Sequence, residues 1–143
     1  MSSRHWDLLM NILWMLVVFV VGYSLFLIFF QRSMIYFPSA YSPQMLQMLA
    51  EKEEISYVLD GKRQVAYFVP PKSRSNQLPR CVWVMLGGNA ALALGWAGLV
   101  ENYPDDRAAF LLLDYPGYGQ NEGQPTLENN IEAVDLALES LFV

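Results

Sequence analysis

The stretch that most limits the possible folds is 111–125, which reads Leu-Leu-Leu-Asp-Tyr-Pro-Gly-Tyr-Gly-Gln-Asn-Glu-Gly-Gln-Pro. Together with Phe110, its three leucines form a short apolar run typical of a fully buried parallel strand. The run stops at Asp114, and the two prolines and three glycines of 116–125 exclude a helix or strand there. Beyond this loop, Thr126 begins an amphipathic helix with apolar residues at steps of three and four: Leu127, Ile131, Val134, Leu138 and Leu141. A buried strand, a Gly-rich turn and a helix predict an α/β fold.

An uncharged apolar stretch occupies residues 8–30. As a helix its 23 residues would rise about 34 Å, which is enough to cross a hydrocarbon core of roughly 30 Å. We therefore expect a single-pass membrane anchor that binds the lipid bilayer through residues 8–30. A cleaved signal peptide is the alternative, although its apolar core is shorter and no small-x-small site directly follows this stretch. Arg4 and Arg32 balance each other across the span, so the orientation is not defined.

The remaining chain alternates strand-like and helix-like segments. Asp-Gly between two β-rich runs is a strong hairpin signal, and Ser42-Pro43 is typical of a helix start. We expect an N-terminal tail (1–7), the membrane helix (8–30), a juxtamembrane linker with a short helix (31–53) and a soluble α/β part (54–143). The predicted segments after the membrane helix are a helix from Pro43 to Lys52, strands at Glu54–Leu59, Arg63–Val69, Cys81–Leu86 and 107–114, and helices at 90–103 and from Thr126.

The charge distribution excludes some kinds of partner. From Glu101 onward there are nine acidic residues and a single base, Arg107. Nucleic-acid surfaces and polybasic lipid-binding patches need clustered Lys and Arg, so neither is expected. The lone cysteine, Cys81, lies in a predicted buried strand and is expected to be an inert core thiol. No cofactor is indicated.

A glycine turn follows the strand at 81–86, in the sequence Leu-Gly-Gly-Asn-Ala. Paired glycines let backbone N–H groups approach a ligand, and open α/β sheets bind ligands at the carboxyl ends of strands. The N–H groups of Gly88, Asn89 and Ala90 are therefore candidate donors to a phosphate or to an oxyanion formed during acyl transfer. A tight turn without any ligand is the alternative. Walker and Rossmann loops are excluded, because neither Gly-Lys-Ser/Thr nor a third glycine follows.

Asp114 ends the other predicted buried strand and has two readings. It is a candidate general acid or base, or it accepts N–H bonds from its own Gly-rich loop, which the residue types favour. With Gly117 and Gly119 it forms the expected structural turn. No metal site is expected, because no second ligand lies near Asp114 at metal-binding spacing.

The chain lacks the residues of a Ser-His-acid triad. Its only histidine, His5, precedes the apolar stretch, and no serine lies in a G-x-S-x-G elbow. Ser140 is expected in the middle of a helix with no base near it. We expect no catalytic residue among these 143 residues.

Several motifs resemble the N-terminal part of a membrane-anchored serine α/β-hydrolase. They are Arg-Ser-Met-Ile-Tyr-Phe-Pro after the membrane span, Val-Met-Leu-Gly-Gly-Asn-Ala, and Leu-Leu-Leu-Asp-Tyr-Pro-Gly-Tyr-Gly-Gln-Asn-Glu-Gly-Gln-Pro. That family has His-Gly-Asn-Ala at the first turn and Asp-Tyr-Arg-Gly-Tyr-Gly-x-Ser-x-Gly-x-Pro at the second. Gly87 stands where the family has histidine, and Pro116 where it has arginine. The resemblance covers nearly the whole chain.

The resemblance implies a partial α/β-hydrolase sheet, with the backbone N–H of Asn89, then Ala90, as half of an oxyanion hole. The family activity is serine-dependent hydrolysis of an ester, thioester or amide. The nucleophile, acid and histidine would follow Val143, so we expect no catalysis by this chain alone. It would be a truncated hydrolase, a half that needs a complementing chain, or a non-catalytic membrane-anchored interaction protein. The strand at 81–86 should then have an open apolar edge, which predicts self-association.

Overall fold

The computed structural model describes residues 3–50, 52–73 and 78–142 of the chain, which forms two separate units, Met1–Ile35 and Tyr36–Val143. The first unit is a single helix, α1 (Ser3–Ile35), with a mean hydropathy of 2.7 in its most apolar window. None of that window is buried within the structure. The helix has the length and composition of a membrane span, and its position near the N-terminus also fits a signal sequence.

The second unit is a four-stranded mixed sheet with helices. Its elements are α2 (Pro43–Leu49), β1 (Glu53–Leu59), β2 (Lys62–Val69), β3 (Cys81–Leu86), a 3₁₀ helix (Ala93–Trp96), α3 (Ala97–Glu101), β4 (Ala108–Leu113) and α4 (Leu127–Leu141). The strand order is β1-β2-β4-β3. β1 pairs antiparallel with β2, β2 antiparallel with β4, and β3 parallel with β4. The prediction of an α/β unit with a hairpin and parallel strands is therefore confirmed at this level.

Local signals explain where the hairpin and the helices begin. Asp60 and Gly61 both have left-handed backbone, with φ of 51° and 72°, which is the type I′ geometry that suits a hairpin. The hydroxyl of Ser42 accepts from the N–H of Met45, and that of Thr126 accepts from the N–H of Asn129. Both are side-chain N-caps that satisfy an otherwise free donor. The short helix ends at Leu49, three residues earlier than predicted.

The core lies on both faces of β4, whose six residues are all buried. Phe110 and Leu112 face one cluster, which includes Leu94 and Val100, and Leu111 faces the other, on the side of α4. The apolar run at 110–113 thus forms the central buried strand that its composition predicts.

Two helical predictions are corrected. The segment 90–103 is not one helix. Ala90 has a left-handed φ of +60°, and the N–H of Ala93 donates to the side chain of Asp114 instead of to a helical carbonyl. In α4, Ala133 and Ala137 are fully buried, whereas Leu127 and Ile131 are 65% and 56% exposed. The small alanines allow the helix to approach β1 and Ala66 closely, so the buried face is rotated away from Leu127 and Ile131.

Candidate functional site

Two loops leave the sheet side by side at the carboxyl ends of β3 and β4. Leu86 pairs with Leu113, so Gly87 and Asp114 leave the parallel strands at the same level. We call residues 87–92 the β3 loop and residues 114–125 the β4 loop. This edge is where open α/β sheets bind ligands, and it contains every site residue that the sequence indicated.

The β3 loop contains a tight turn from Gly88 to Ala91. The N–H of Ala91 donates to the carbonyl of Gly88 at 3.1 Å, and Ala90 occupies the left-handed position of a type II-like turn. An alanine in that conformation is strained, and such strain often accompanies functional turns. Gly87 is buried, and a Cβ placed there would lie 2.5 Å from the carbonyl oxygen of Ala91. A Cβ at Gly88 would meet nothing within 4 Å.

The turn presents three backbone donors to solvent. Among the described residues, no protein acceptor bonds the N–H of Gly88, Asn89 or Ala90, and all three residues are exposed. Backbone N–H groups left without a protein acceptor in a turn can bind a phosphate, a carboxylate or a developing oxyanion. A turn with no ligand remains consistent with the same geometry.

Asp114 lies underneath the β3 loop and is 2% exposed. Its Oδ1 accepts from the N–H of Ala93 at 2.7 Å, and its Oδ2 accepts from the hydroxyl of Tyr41 at 2.5 Å. The sequence favoured N–H bonds to Asp114 from its own loop. The carboxylate instead accepts bonds from the start of the 3₁₀ helix, directly after the β3 loop, and from the juxtamembrane segment. Burial raises the pKa of Asp114, and the bonds from Tyr41 and Ala93 partly oppose that rise.

Burial also raises the pKa values of the tyrosines around this carboxylate. The pKa of Tyr41 is raised most strongly, first by burial and then by the negative charge of Asp114. The pKa of Tyr67 is raised to about 12 for the same two reasons, and its buried hydroxyl has no partner among the described residues. Both hydroxyls are therefore neutral at physiological pH, and that of Tyr41 donates to Asp114.

The β4 loop is built around glycines that tolerate no side chain. Gly117 and Gly119 have φ of 83° and 61°, and a Cβ on Gly119 would lie 2.5 Å from Oδ2 of Asp114. Asn121 closes the loop: its Nδ2 donates to the carbonyl of Asp114 and its Oδ1 accepts from the N–H of Val65, both at 2.7 Å. Asn121 is 7% exposed and ties the loop to β2.

The juxtamembrane residues 36–41, which we call the strap, contact both loops. The N–H of Phe37 donates to Oδ1 of Asn89 at 3.2 Å and to the hydroxyl of Tyr118 at 2.9 Å. The N–H of Gly119 donates to the carbonyl of Ser39 at 2.8 Å. The contributions of Tyr41, Tyr118 and Asn121 were missed at the sequence level. Apart from the bond between Asn121 and Asp114, which are seven residues apart, their side-chain hydrogen bonds join residues far apart in the sequence. No local pattern therefore indicates these contributions.

Two other reactive side chains, Ser140 and His5, belong to helices rather than to these loops. The Oγ of Ser140 donates to the carbonyl of Leu136 within α4, and His5 belongs to the separate helix α1. Within residues 3–50, 52–73 and 78–142, no group of three or more His, Cys, Asp or Glu is arranged to hold a metal ion. The chemistry available at the two loops is thus donation by backbone N–H groups above a buried carboxylate.

No protein-family model matches the chain, and no curated protein matches it either.

Proposed function

We propose that residues 36–142 are the N-terminal part of an α/β-hydrolase-like scaffold, anchored to a membrane by α1. In this proposal the β3 loop supplies backbone donors to the oxyanion formed when an ester, thioester or amide is hydrolysed. The nucleophile, acid and histidine come from residues other than those of this sequence, because the 143 residues contain no elbow serine and only His5.

The observation that carries the proposal is the set of free N–H groups at Gly88, Asn89 and Ala90. They lie at the carboxyl end of a strand with parallel pairing, directly after a glycine that no larger residue can replace without a shift. Donors fixed before the reaction stabilise the developing negative charge without reorganisation, and one such donor is worth about 10²–10³ in kcat.

The supporting role of Asp114 is structural. Each carboxylate oxygen accepts one bond, from Ala93 and from Tyr41, and the residue is 2% exposed, so a substrate at the surface does not reach it. Through Ala93, which directly follows the β3 loop, the residue holds the end of that loop against the sheet, while Gly88, Asn89 and Ala90 are exposed. This arrangement favours an oxyanion-binding turn over a general base at Asp114.

A graft tests the donor function apart from the missing catalytic residues. The first oxyanion turn of an active α/β-hydrolase esterase is replaced by residues 86–92 of this chain, and p-nitrophenyl butyrate hydrolysis is measured. We expect kcat within about tenfold of the parent, since a working set of donors is retained. A folded graft that has lost about 10³ or more in kcat would contradict the proposal. The full chain in detergent should not hydrolyse this ester; turnover unaffected by changes at Asn89 or Ser140 would indicate another site.

A second candidate function, a non-catalytic interaction protein on the same scaffold, is favoured by the edge strand β3. Within the described residues β3 pairs only with β4, and it carries no charge. Trp83 is 47% exposed beside an open apolar groove of about 200 Å³ that is also lined by Met85 and Leu99. An unpaired apolar edge is a template for another strand. The partner would be a second copy or a complementing chain.

A further inference from the structure

The strap binds a side chain of the proposed oxyanion turn through its backbone, because the N–H of Phe37 donates to Asn89. Phe37 has one N–H, and that N–H is shared between Oδ1 of Asn89 and the hydroxyl of Tyr118. Shared donors of this kind hold two acceptors in a fixed relation to each other. Tyr118 is 1% exposed and its ring packs edge-on against Tyr115, with centroids 5.9 Å apart, so its hydroxyl is firmly placed.

The Asn89 side chain would otherwise compete with an anion. Asparagine in a turn commonly accepts a local N–H, either its own or the one two residues later. The latter is the N–H of Ala91, which already donates to Gly88, so the local donor open to the Asn89 side chain is its own N–H. Here Oδ1 of Asn89 is directed to Phe37 instead, and the N–H groups of Asn89 and Ala90 stay free. The strap thus removes the local acceptor that could close the turn on itself.

The rest of the strap is bound to the same region. The hydroxyl of Tyr41 donates to Asp114 at 2.5 Å and accepts from the N–H of Leu94 at 3.4 Å, while the carbonyl of Ser39 accepts from Gly119. Both ends of the strap therefore contact the loops, through backbone at one end and a buried side chain at the other.

We propose that Tyr118 is a positioning residue: through the Phe37 N–H it sets the orientation of Asn89 and keeps the donors of the β3 loop open. This inference rests on the proposed function of the turn. The strap follows α1 directly in the sequence.

The test uses the full chain, labelled with ¹⁵N, in detergent micelles. Tyr118→Phe removes the hydroxyl acceptor, and Tyr115→Phe is the matched control because it makes the same change on the adjacent ring. We expect Tyr118→Phe to shift the amide signals of Asn89 and Ala90 and to speed hydrogen exchange at Phe37. The double variant with Tyr118→Phe and Asn89→Ala lacks both acceptors. Its hydrogen exchange at Phe37 should be roughly five- to tenfold faster than in the wild type, the effect of losing one net hydrogen bond.

A conservative variant separates positioning from general destabilisation. In the Tyr118→Phe background, Asn89→Asp keeps an acceptor for Phe37 and should preserve part of its protection from exchange, whereas Asn89→Ala should not. The proposal is overturned if Tyr118→Phe alters the Asn89 and Ala90 amides no more than Tyr115→Phe does, or if Tyr118→Phe combined with Asn89→Ala leaves Phe37 exchange unchanged. Amide shifts and hydrogen exchange need no catalytic activity, so their outcome does not depend on the result of the esterase graft.

Discussion

Gly87 and Gly88 are adjacent in the sequence but differ sharply in what surrounds them. An added methyl group at Gly87 lies 2.5 Å from the carbonyl oxygen of Ala91, whereas one at Gly88 lies in open space. We expect Gly87→Ala to lower the free energy of unfolding by about 1–3 kcal/mol, the usual cost of overpacking, and Gly88→Ala to change it by about 0.5 kcal/mol or less. Urea titrations of the full chain in mild detergent, followed by tryptophan fluorescence, measure both. Equal losses would show that the turn is not packed as described.

The buried carboxyl of Asp114 predicts a pH dependence with a definite sign. Because its pKa is raised in the folded state, the unfolded chain releases this proton at lower pH than the folded chain. The contribution of Asp114 to stability is therefore full below its unfolded pKa and is lost as pH rises through its folded pKa. Asp114→Asn, which can still accept from Ala93, should remove this loss.

The measurement is the free energy of unfolding against pH for three chains. The free energy of unfolding of the wild type, relative to that of Asp114→Asn, should decrease as pH rises from about 4. Exposed Asp106→Asn is the control and should follow the wild type throughout. A difference that stays constant with pH would contradict the assignment of Asp114 as the buried titrating group.

At the scale of elements, α4 depends on its first turn. Thr126 caps the helix by accepting the N–H of Asn129 at 3.1 Å, and Glu128 adds a negative charge in the first turn. Thr126→Ala should cost about 1 kcal/mol of stability, and Thr126→Ser should restore most of it because the hydroxyl is retained. Chemical denaturation provides the values; an alanine variant as stable as wild type would exclude the cap as a stabilising contact.

Some features of the fold are determined by residues that are neighbours in the sequence, and others by residues far apart. The Asp60-Gly61 hairpin, the Thr126 cap and the buried strand at 110–113 were predictable, because each depends on neighbouring residues alone. The irregular start of 90–103 was not, because the N–H of Ala93 is taken by Asp114, 21 residues away. The apolar face of α4 was predicted in part: Val134, Leu138 and Leu141 pack against the core, whereas Leu127 and Ile131 are exposed. Periodicity ranks large apolar residues above the alanines that allow close packing.

In the candidate site, too, some features could be predicted from the sequence and others could not. Glycine spacing indicated the turn donors at Gly88, Asn89 and Ala90, and breaker density indicated the β4 loop. The bonds of Phe37 to residues 52 and 81 positions later could not be read from any pattern, because they arise only when the strap lies against both loops. Long-range polar contacts of this kind are set by the fold as a whole.

At the scale of the whole molecule, the two sheet edges are unequal. β1 begins with exposed Glu53 and Glu54, and charged side chains discourage pairing with another strand. β3 has no such protection. We therefore expect the full chain in detergent to self-associate through β3, as judged by sedimentation velocity at increasing protein concentration.

A pair of variants locates the association. Trp83→Lys places a charge on the β3 edge and should return the chain to a monomer, whereas Val58→Lys, at a 63% exposed position on β1, should leave association unchanged. A wild-type chain that stays monomeric would count against a free apolar edge. Association abolished equally by both variants would place the interface elsewhere.

We propose that the β3 loop is an oxyanion-binding turn, and kcat of the esterase graft carrying either of two single changes tests this proposal. With Gly87→Ala in the grafted turn, kcat should fall by about 10²–10³, because the added Cβ displaces the donors. With Gly88→Ala, kcat should stay within about threefold of the graft, because that position has free space. Folded variants with equal kcat would contradict the account, since the N–H groups of the turn would then contribute nothing to the reaction.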